Sequence, residues 1–402
     1  MCKDCCKRDT EIEKKYRLSD FFEAHWETYI KSPPVPITPE QYKAVNAIRV
    51  CRTPVLGVDE YVCQSCGEVV EIYHNCRHRF CPTCSWGDTM KWAERIKSQM
   101  IDIPHRHIVF TVPHALHPLI KSNGKELLNV LLQTSADTFK DWAEHKYKIK
   151  LGIISVLHTF GETKEYHVHA HMIVSWGGIS NETGKLTTIK GDYINYKFLQ
   201  DKFRIKFEDA LVSMYDQGLL EHKFKDRKSF MLHLKQINKK NWILHLEPPM
   251  KTPSAVIRYI GRYSKRACIS EYKITDMDGE YISFRRKDYK TIDLNNKPIE
   301  RELKLHYIDF FPRLLQHVPF KNFRLVRYYG LYSNKGIIPE EYLNKDQEQE
   351  SQDQECKSPF ICSLCNEYRT YLQTIFDMRL PQERNGRFDI NIHPSYIYKR
   401  AS

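Results

Sequence analysis

His169-Ala170-His171-Met172-Ile173-Val174 is an apolar, strand-forming run that carries two imidazoles at a spacing of two. Successive side chains on a strand point to opposite faces, so these histidines share one face and His167 joins them there. The preceding run from Leu151 to Phe160 has the composition of a partner strand, and Gly161-Glu162-Thr163-Lys164-Glu165 supplies a turn between the two. The spacing predicts a β-hairpin over Lys150 to Ser175 displaying a row of metal-ligand side chains. Imidazoles in the middle of an apolar strand are costly to bury without a partner. For a pair of them the usual partner is a divalent cation, and a hydrogen-bonded core pair is the other reading.

A second run, Ser254-Ala-Val-Ile-Arg-Tyr-Ile-Gly-Arg-Tyr-Ser-Lys-Arg266, follows a proline-rich stretch ending at Pro253 and has helix-start signals. Tyr259 and Tyr263 stand at i and i+4 and stack on one side of this predicted helix. Val256, Ile257 and Ile260 form its apolar face, with Arg258, Arg262, Lys265 and Arg266 roughly opposite and the tyrosines along one border. Phenols fixed by packing beside guanidinium groups suit a nucleophile in phosphoryl transfer, since cations hold a phosphodiester and favour phenolate. An ordinary amphipathic helix with core tyrosines would show the same spacing.

The chain has 402 residues and a net charge of +12, from 62 Lys and Arg against 50 acidic groups, which favours a polyanionic partner. Its 24 tyrosines allow base stacking beside phosphate contacts. No apolar run approaches the roughly 18 residues of a membrane span, and the N-terminal residues lack a secretory pattern. A cytoplasmic, nucleoid-associated protein with no membrane partner is expected. In that compartment its 13 cysteines read as metal ligands rather than disulfides. Cys63-x-x-Cys66 and Cys81-x-x-Cys84, separated by residues 67–80, have the spacing of one structural Zn²⁺ ribbon. Arg77, His78 and Arg79 would lower nearby thiol pKa values and could also touch DNA. Cys51 and Cys76 bracket the motif, either as buried structural residues or as members of an additional zinc site with His74 or His78. Cys362-x-x-Cys365 looks like half of another site, to be completed by Cys356 and a group elsewhere, and it follows the polar, linker-like tract Asn344 to Glu355.

Several ordered motifs together resemble the His-hydrophobic-His (HUH) single-strand nucleases, and among them the rolling-circle insertion-sequence transposases with an N-terminal zinc-binding domain. They are Cys63-x-x-Cys66-Gly67, Cys76-Arg-His-Arg-Phe-Cys81-Pro-Thr-Cys84, Arg106 to Pro113, Leu157-His-Thr-Phe-Gly161 leading into His167-Val-His-Ala-His171, Tyr259-Ile-Gly-Arg-Tyr263, Phe284 to Tyr289, and Phe311 to Gly330. The resemblance implies that Tyr259 and Tyr263 are both nucleophiles, each forming a 5′-phosphotyrosine link to single-stranded DNA, and that His169 and His171 ligate Mg²⁺ or Mn²⁺. Glu162 and His167 are the local candidates for a third ligand, with Glu162 preferred because oxygen suits a hard cation; His167 would otherwise orient the scissile phosphate or cap the strand, and Arg258, Arg262, Lys265 and Arg266 would contact DNA. Where relatives often carry Gly-His, this chain has Val58-Asp59, which makes Cys51 the substitute ligand. Ala170 is smaller than the residue usual between the histidines. The implied partners are single-stranded DNA at transposon ends and target DNA; the alternatives are a plasmid replication initiator or relaxase, and a non-catalytic zinc-dependent DNA-binding protein.

The expected fold class is α+β: an antiparallel-sheet HUH domain with helices, preceded by a helical zinc-binding domain. Residues 1–100 form the zinc-binding, DNA-recognising part, with helices at Leu18 to Lys31, from Thr38, and at Trp86 to Gln99. Residues 101–270 form the nuclease domain, with strands at Pro104 to Pro113 and Trp242 to Glu247, a helix at Gly124 to Tyr147, and a helical insertion at about 180–240. Residues 271–343 are read as a basic, helix-rich region that opens with a hairpin around Asp278-Gly279 and whose Arg301, Lys304, Arg313, Lys321, Arg324 and Arg327 line DNA, and 344–402 as a flexible linker and Cys-containing tail.

Overall fold

The computed structural model describes residues 16–191, 194–238, 242–250, 268–293, 295, 297–344 and 360–376, with 86–88, 90 and 94 described by backbone alone. The chain opens with α1 (Leu18–Tyr29) and α2 (Pro39–Arg49). Local chemistry sets the start of α2: the Gln41 amide donates to the Thr38 hydroxyl, the Thr38 amide to the Gln41 side chain, and Pro39 needs no hydrogen-bond acceptor in the first turn. A ribbon of β1 (Val58–Cys63) and β2 (Val69–Tyr73) follows, then α3 (Pro82–Lys97).

The centre is an antiparallel sheet. Its strands are β3 (His105–Thr111), β4 (Ile149–Phe160), β5 (Tyr166–Ser180), β7 (Ile243–Leu246) and β11 (Val326–Gly330), in the order β11-β4-β5-β3-β7, with β6 (Leu186–Thr188) added to β5. One face is apolar. Ile108 and Phe110 from β3, Val168, Ala170 and Met172 from β5, and Leu157 from β4 share a core with Leu131, Phe139 and Trp142 of α5 (Gly124–Tyr147) and Phe203 and Phe207 of α6 (Tyr196–Asp216). The short helix α4 (His117–Ser122) and α7 (Arg227–Ile237) also contribute to it. The opposite face is covered at one end by Trp92, Ala93 and Ile96 of α3 with Met100, against Ile154 and Ile173.

The hairpin expected around Asp278-Gly279 forms, with Asp278 opposite Tyr281, but the sequence after it departs from the helix-rich expectation up to residue 306. This part of the chain forms the sheet β8 (Ile274–Asp278), β9 (Tyr281–Ile292) and β10 (Pro298–His306), followed by the nine-residue α8 (Tyr307–Leu315). Arg301 and Lys304 lie on β10, opposite Arg286 and Ser283 of β9. Ile282 and Phe284 of this sheet and Phe310 and Phe311 of α8 build one core with Phe21, Phe22 and Trp26 of α1 and Val45 and Ile48 of α2. Val326–Gly330 is likewise no helix: it pairs with β4 over Val156 to Gly152 as the edge of the central sheet. Gly330 has φ +60°, and a Cβ there would run into the Leu151 carbonyl.

The segment 360–376 is folded. Its strand β12 (Arg369–Ile375) pairs antiparallel with β1, making the ribbon a three-stranded sheet in the order β12-β1-β2. The architecture is thus mixed α and antiparallel β, with a zinc-type cysteine region at the N-terminal side. Among the described residues no helix is long and apolar enough to cross a membrane.

Candidate metal centres

The alternation of β5 sends Val168, Ala170 and Met172 into the core and His167, His169 and His171 to the opposite face. Ala170 is small because Phe110, its cross-strand partner, fills the core beneath it. Register brings in a third imidazole: His158 of β4 stands opposite His169. The ring centroids of His158 and His171 are 4.4 Å apart and those of His169 and His171 4.8 Å. One ligand nitrogen from each of His158, His169 and His171 can lie within 4.8 Å of the others. The neighbours fix which nitrogen is presented. His169 Nδ1 is 2.9 Å from the His167 carbonyl, so it donates there and leaves the Nε2 lone pair free for a cation. His171 Nδ1 lies 2.8 Å from His107 Nε2 on β3. Burial, reinforced by the neighbouring imidazoles, pushes the pKa values of His169 and His171 well below the ordinary range, and burial brings His107 down to about 4. Neutral imidazoles are the form that binds metal.

Glu162 does not complete this group. Its carboxylate accepts from Lys273 Nζ and from the Lys287 amide, each at 3.1 Å. Burial acts to raise its pKa, but Lys273 and the Lys287 amide outweigh it and hold the carboxyl below its usual range. An acid fixed as half of an ion pair at the hairpin turn is unavailable to the cluster, so the third-ligand reading of Glu162 is replaced by His158. His167 is exposed at the mouth of the same face, its ring 5.1 Å from that of His169. His245, opposite Val109 on the far side of β3, pairs with Glu247 at 2.8 Å.

The cysteines form two groups, not one. Cys51, Cys76, Cys81 and Cys84 converge, as do Cys63, Cys66, Cys362 and Cys365. Cys81 and Cys84 therefore share a site with Cys51 and Cys76 rather than with Cys63 and Cys66. The cause is the ribbon: β1 and β2 pair as a hairpin and carry the Cys63 turn to their far end, while Cys51 and Cys76 sit at the hairpin's base beside the start of α3. His74 and His78 are not members among the described residues; His74 faces Asp59 at 2.9 Å. In the first group Cys81 is the N-cap of α3, Cys84 lies in its first turn, and the sulfurs of Cys51 and Cys84 are 3.5 Å apart. Hydrogen bonding within the group drives the Cys51 thiol pKa far down and those of Cys76 and Cys81 up. Four sulfurs this close cannot all ionise without a cation among them, and a helix N-terminus adds its own preference for thiolate. The donor set suits tetrahedral Zn²⁺. Arg79, read as a DNA contact, instead donates to the carbonyls of Pro319, Phe320 and Phe323 and ties this site to the segment before β11.

Residues 21–112 match the family described as "Transposase zinc-binding domain", and residues 152–337 match the one described as "Putative transposase". The chain belongs to the insertion-sequence transposases that carry this zinc-binding domain. The transposase is 28% identical over 326 residues to the "Putative transposase y4qJ" of Sinorhizobium fredii, covering 79% of its own length and 80% of the relative's. It is 28% identical over 317 residues to the "Transposase for insertion sequence element IS801" of Pseudomonas savastanoi pv. phaseolicola, covering 76% and 73%. No solved structure matches.

Tyr259, Tyr263, Arg258, Arg262, Lys265 and Arg266 lie outside the described residues of the transposase. Of the site residues that sequence reasoning passed over, His158 had a signal: it lies in the quoted Leu157-His-Thr-Phe-Gly161 run, and folding the hairpin about residues 161–165 sets it beside His169. Cys362 and Cys365 were singled out with Cys356, which lies outside the described residues, and not with Cys63 and Cys66.

Proposed function

We propose that this transposase cleaves and rejoins single-stranded DNA at the ends of its element, with Tyr259 and Tyr263 as nucleophiles and a divalent cation held by His158, His169 and His171. The observation that carries the reading is the convergence of these three neutral imidazoles on the one face of the central sheet not sealed by α5 and α6. In each cleavage a phenolate oxygen attacks phosphorus, a 5′-phosphotyrosine bond forms, and the 3′-oxygen leaves and takes up a proton. The phosphodiester energy is kept in the protein-DNA link, so a free 3′-hydroxyl can later reverse the exchange on a different strand. Two tyrosines let one DNA end stay attached while a second is cut. When bound, the cation polarises the scissile phosphate and offsets its developing charge. His107 holds His171 in orientation, and the exposed His167 with Arg258, Arg262, Lys265 and Arg266 contacts the strand. An all-imidazole set favours Mn²⁺ over the harder Mg²⁺.

The test is incubation of the full chain with labelled single-stranded DNA containing the element's ends and Mn²⁺ or Mg²⁺, resolved on a denaturing gel. A covalent band that requires metal, is stronger with Mn²⁺, and disappears in the Tyr259→Phe/Tyr263→Phe double variant is expected. Tight DNA binding with no adduct would replace this reading with a non-catalytic zinc-dependent binder, and an adduct surviving in the double variant would exclude these nucleophiles.

A further inference from the structure

Cys63-Gln64-Ser65-Cys66-Gly67-Glu68 and Cys362-Ser363-Leu364-Cys365-Asn366-Glu367 share one pattern, Cys-x-x-Cys followed by Gly or Asn and then Glu. They also share one backbone. In the first, the Cys63 amide donates to the Glu68 carbonyl at 2.9 Å and the Gly67 amide to the Cys63 carbonyl at 2.8 Å. In the second, the Cys362 amide donates to the Glu367 carbonyl at 2.8 Å and the Asn366 amide to the Cys362 carbonyl at 3.0 Å. Both turns close through a left-handed residue, Gly67 at φ +74° and Asn366 at φ +62°, the two residue types that adopt this conformation most easily. Each turn is entered and left by extended chain, and each aims its pair of sulfurs at the other.

The sulfurs meet: Cys63 and Cys365 at 3.2 Å, Cys66 and Cys362 at 3.5 Å, Cys66 and Cys365 at 3.7 Å. A tetrahedral zinc with Zn–S bonds of about 2.3 Å has sulfurs about 3.8 Å apart, whereas a disulfide needs about 2.05 Å. Cys63 and Cys362 are fully buried, Cys66 and Cys365 exposed. Charge around the group is balanced locally, for the Arg369 guanidinium pairs with the Glu68 carboxylate that abuts Cys362. Half of this set lies outside the matched zinc-binding region, residues 21–112.

We propose that the protein binds a second zinc ion in a tetrathiolate site made of Cys63, Cys66, Cys362 and Cys365, and that this ion fastens segment 360–376 to the N-terminal ribbon. The seam is completed by β12 on β1, with Arg369 opposite Cys63 and Thr370 opposite Val62, and by Tyr61 packed between Phe360 and Tyr371 at 5.0 and 5.8 Å. The proposal does not depend on the nuclease reading.

Zinc per chain is measured by elemental analysis on the full-length protein and three variants. Cys63→Ser/Cys66→Ser and Cys362→Ser/Cys365→Ser should each lose one zinc, and the quadruple variant should lose that same single zinc rather than two. Full zinc retention by Cys362→Ser/Cys365→Ser overturns the site. Should a variant fail to fold, the wild-type protein gives the answer: it is titrated with a chelator while exposed thiols are alkylated and mapped by peptide mass spectrometry. Cys63, Cys66, Cys362 and Cys365 are expected to become reactive together, before Cys51, Cys76, Cys81 and Cys84. Cys362 and Cys365 reacting fully with no chelator present would refute the proposal.

Discussion

His105 is fully enclosed, with Nδ1 2.8 Å from the Ile103 carbonyl and Nε2 2.6 Å from the Tyr332 hydroxyl, and His317 is held by Thr159 and the Lys164 carbonyl. Burial brings their pKa values down to about 4 and about 3. An unfolded histidine protonates near 6.5. As the pH falls the unfolded chain takes up these protons first, so the stability the two residues contribute is complete above about pH 6.5 and is lost as the pH falls toward the folded values. Denaturant melts at pH 7 and pH 5 should differ by on the order of 1–2 kcal/mol for each, and His105→Gln should shrink the difference. At the candidate site, His158→Ala should reduce metal-dependent cleavage by more than the roughly 10–100-fold that follows loss of a group merely orienting a ligand. Single-turnover cleavage assays at saturating DNA check this, with DNA affinity unchanged. The spacing of His169 and His171 was legible because it is local. His158 was not assigned, since only the hairpin register makes it a neighbour, and Glu162 was misassigned because its ion pair with Lys273 is 111 residues away.

Helix α3 joins two pieces of chemistry. Its N-cap is Cys81 and its first turn carries Cys84, and toward its other end Trp92 and Ile96 pack on Ile173, two residues beyond His171 on the same face of β5. The Trp92 indole N–H also donates to the Tyr328 hydroxyl at 2.7 Å. Trp92→Ala should cost about 3–5 kcal/mol in chemical denaturation, and Trp92→Phe much less, because the ring's packing outweighs one hydrogen bond. Elements with their own start and stop signals were readable from sequence: Thr38-Pro39-Glu40-Gln41 announces α2, and α5 spans Gly124–Tyr147 as read. β10 and β11 were not readable. Their charged residues suit a solvated helix equally well, and what makes them strands is pairing with β9 and β4, which no local window contains.

At the scale of the molecule, chain order and spatial order diverge. The first helices share a core with residues 268–318, and the ribbon at residues 58–73 is completed by residues 369–375. A partition into consecutive stretches follows from composition, which carries no information about such returns. The repeated Cys-x-x-Cys-Gly/Asn-Glu pattern was the one trace of the second return visible in sequence. A metal joining Cys63 to Cys365 closes a loop across 302 residues. By the chain-entropy argument used for disulfides, such a closure stabilises the fold by about 6 kcal/mol.

That closure also has a direction in time. During synthesis at roughly 5–20 residues per second, Cys63 emerges about 15–60 s before Cys365, and through that interval β1 lacks the neighbour it has in the finished sheet. An uncovered strand edge beside two unsatisfied thiols invites association and capture by quality-control factors. Translation that stops short of Cys362 therefore leaves β1 without β12 and leaves Cys63 and Cys66 without the sulfurs they meet in the finished chain, so a truncated product differs from the whole protein at its own N-terminal ribbon.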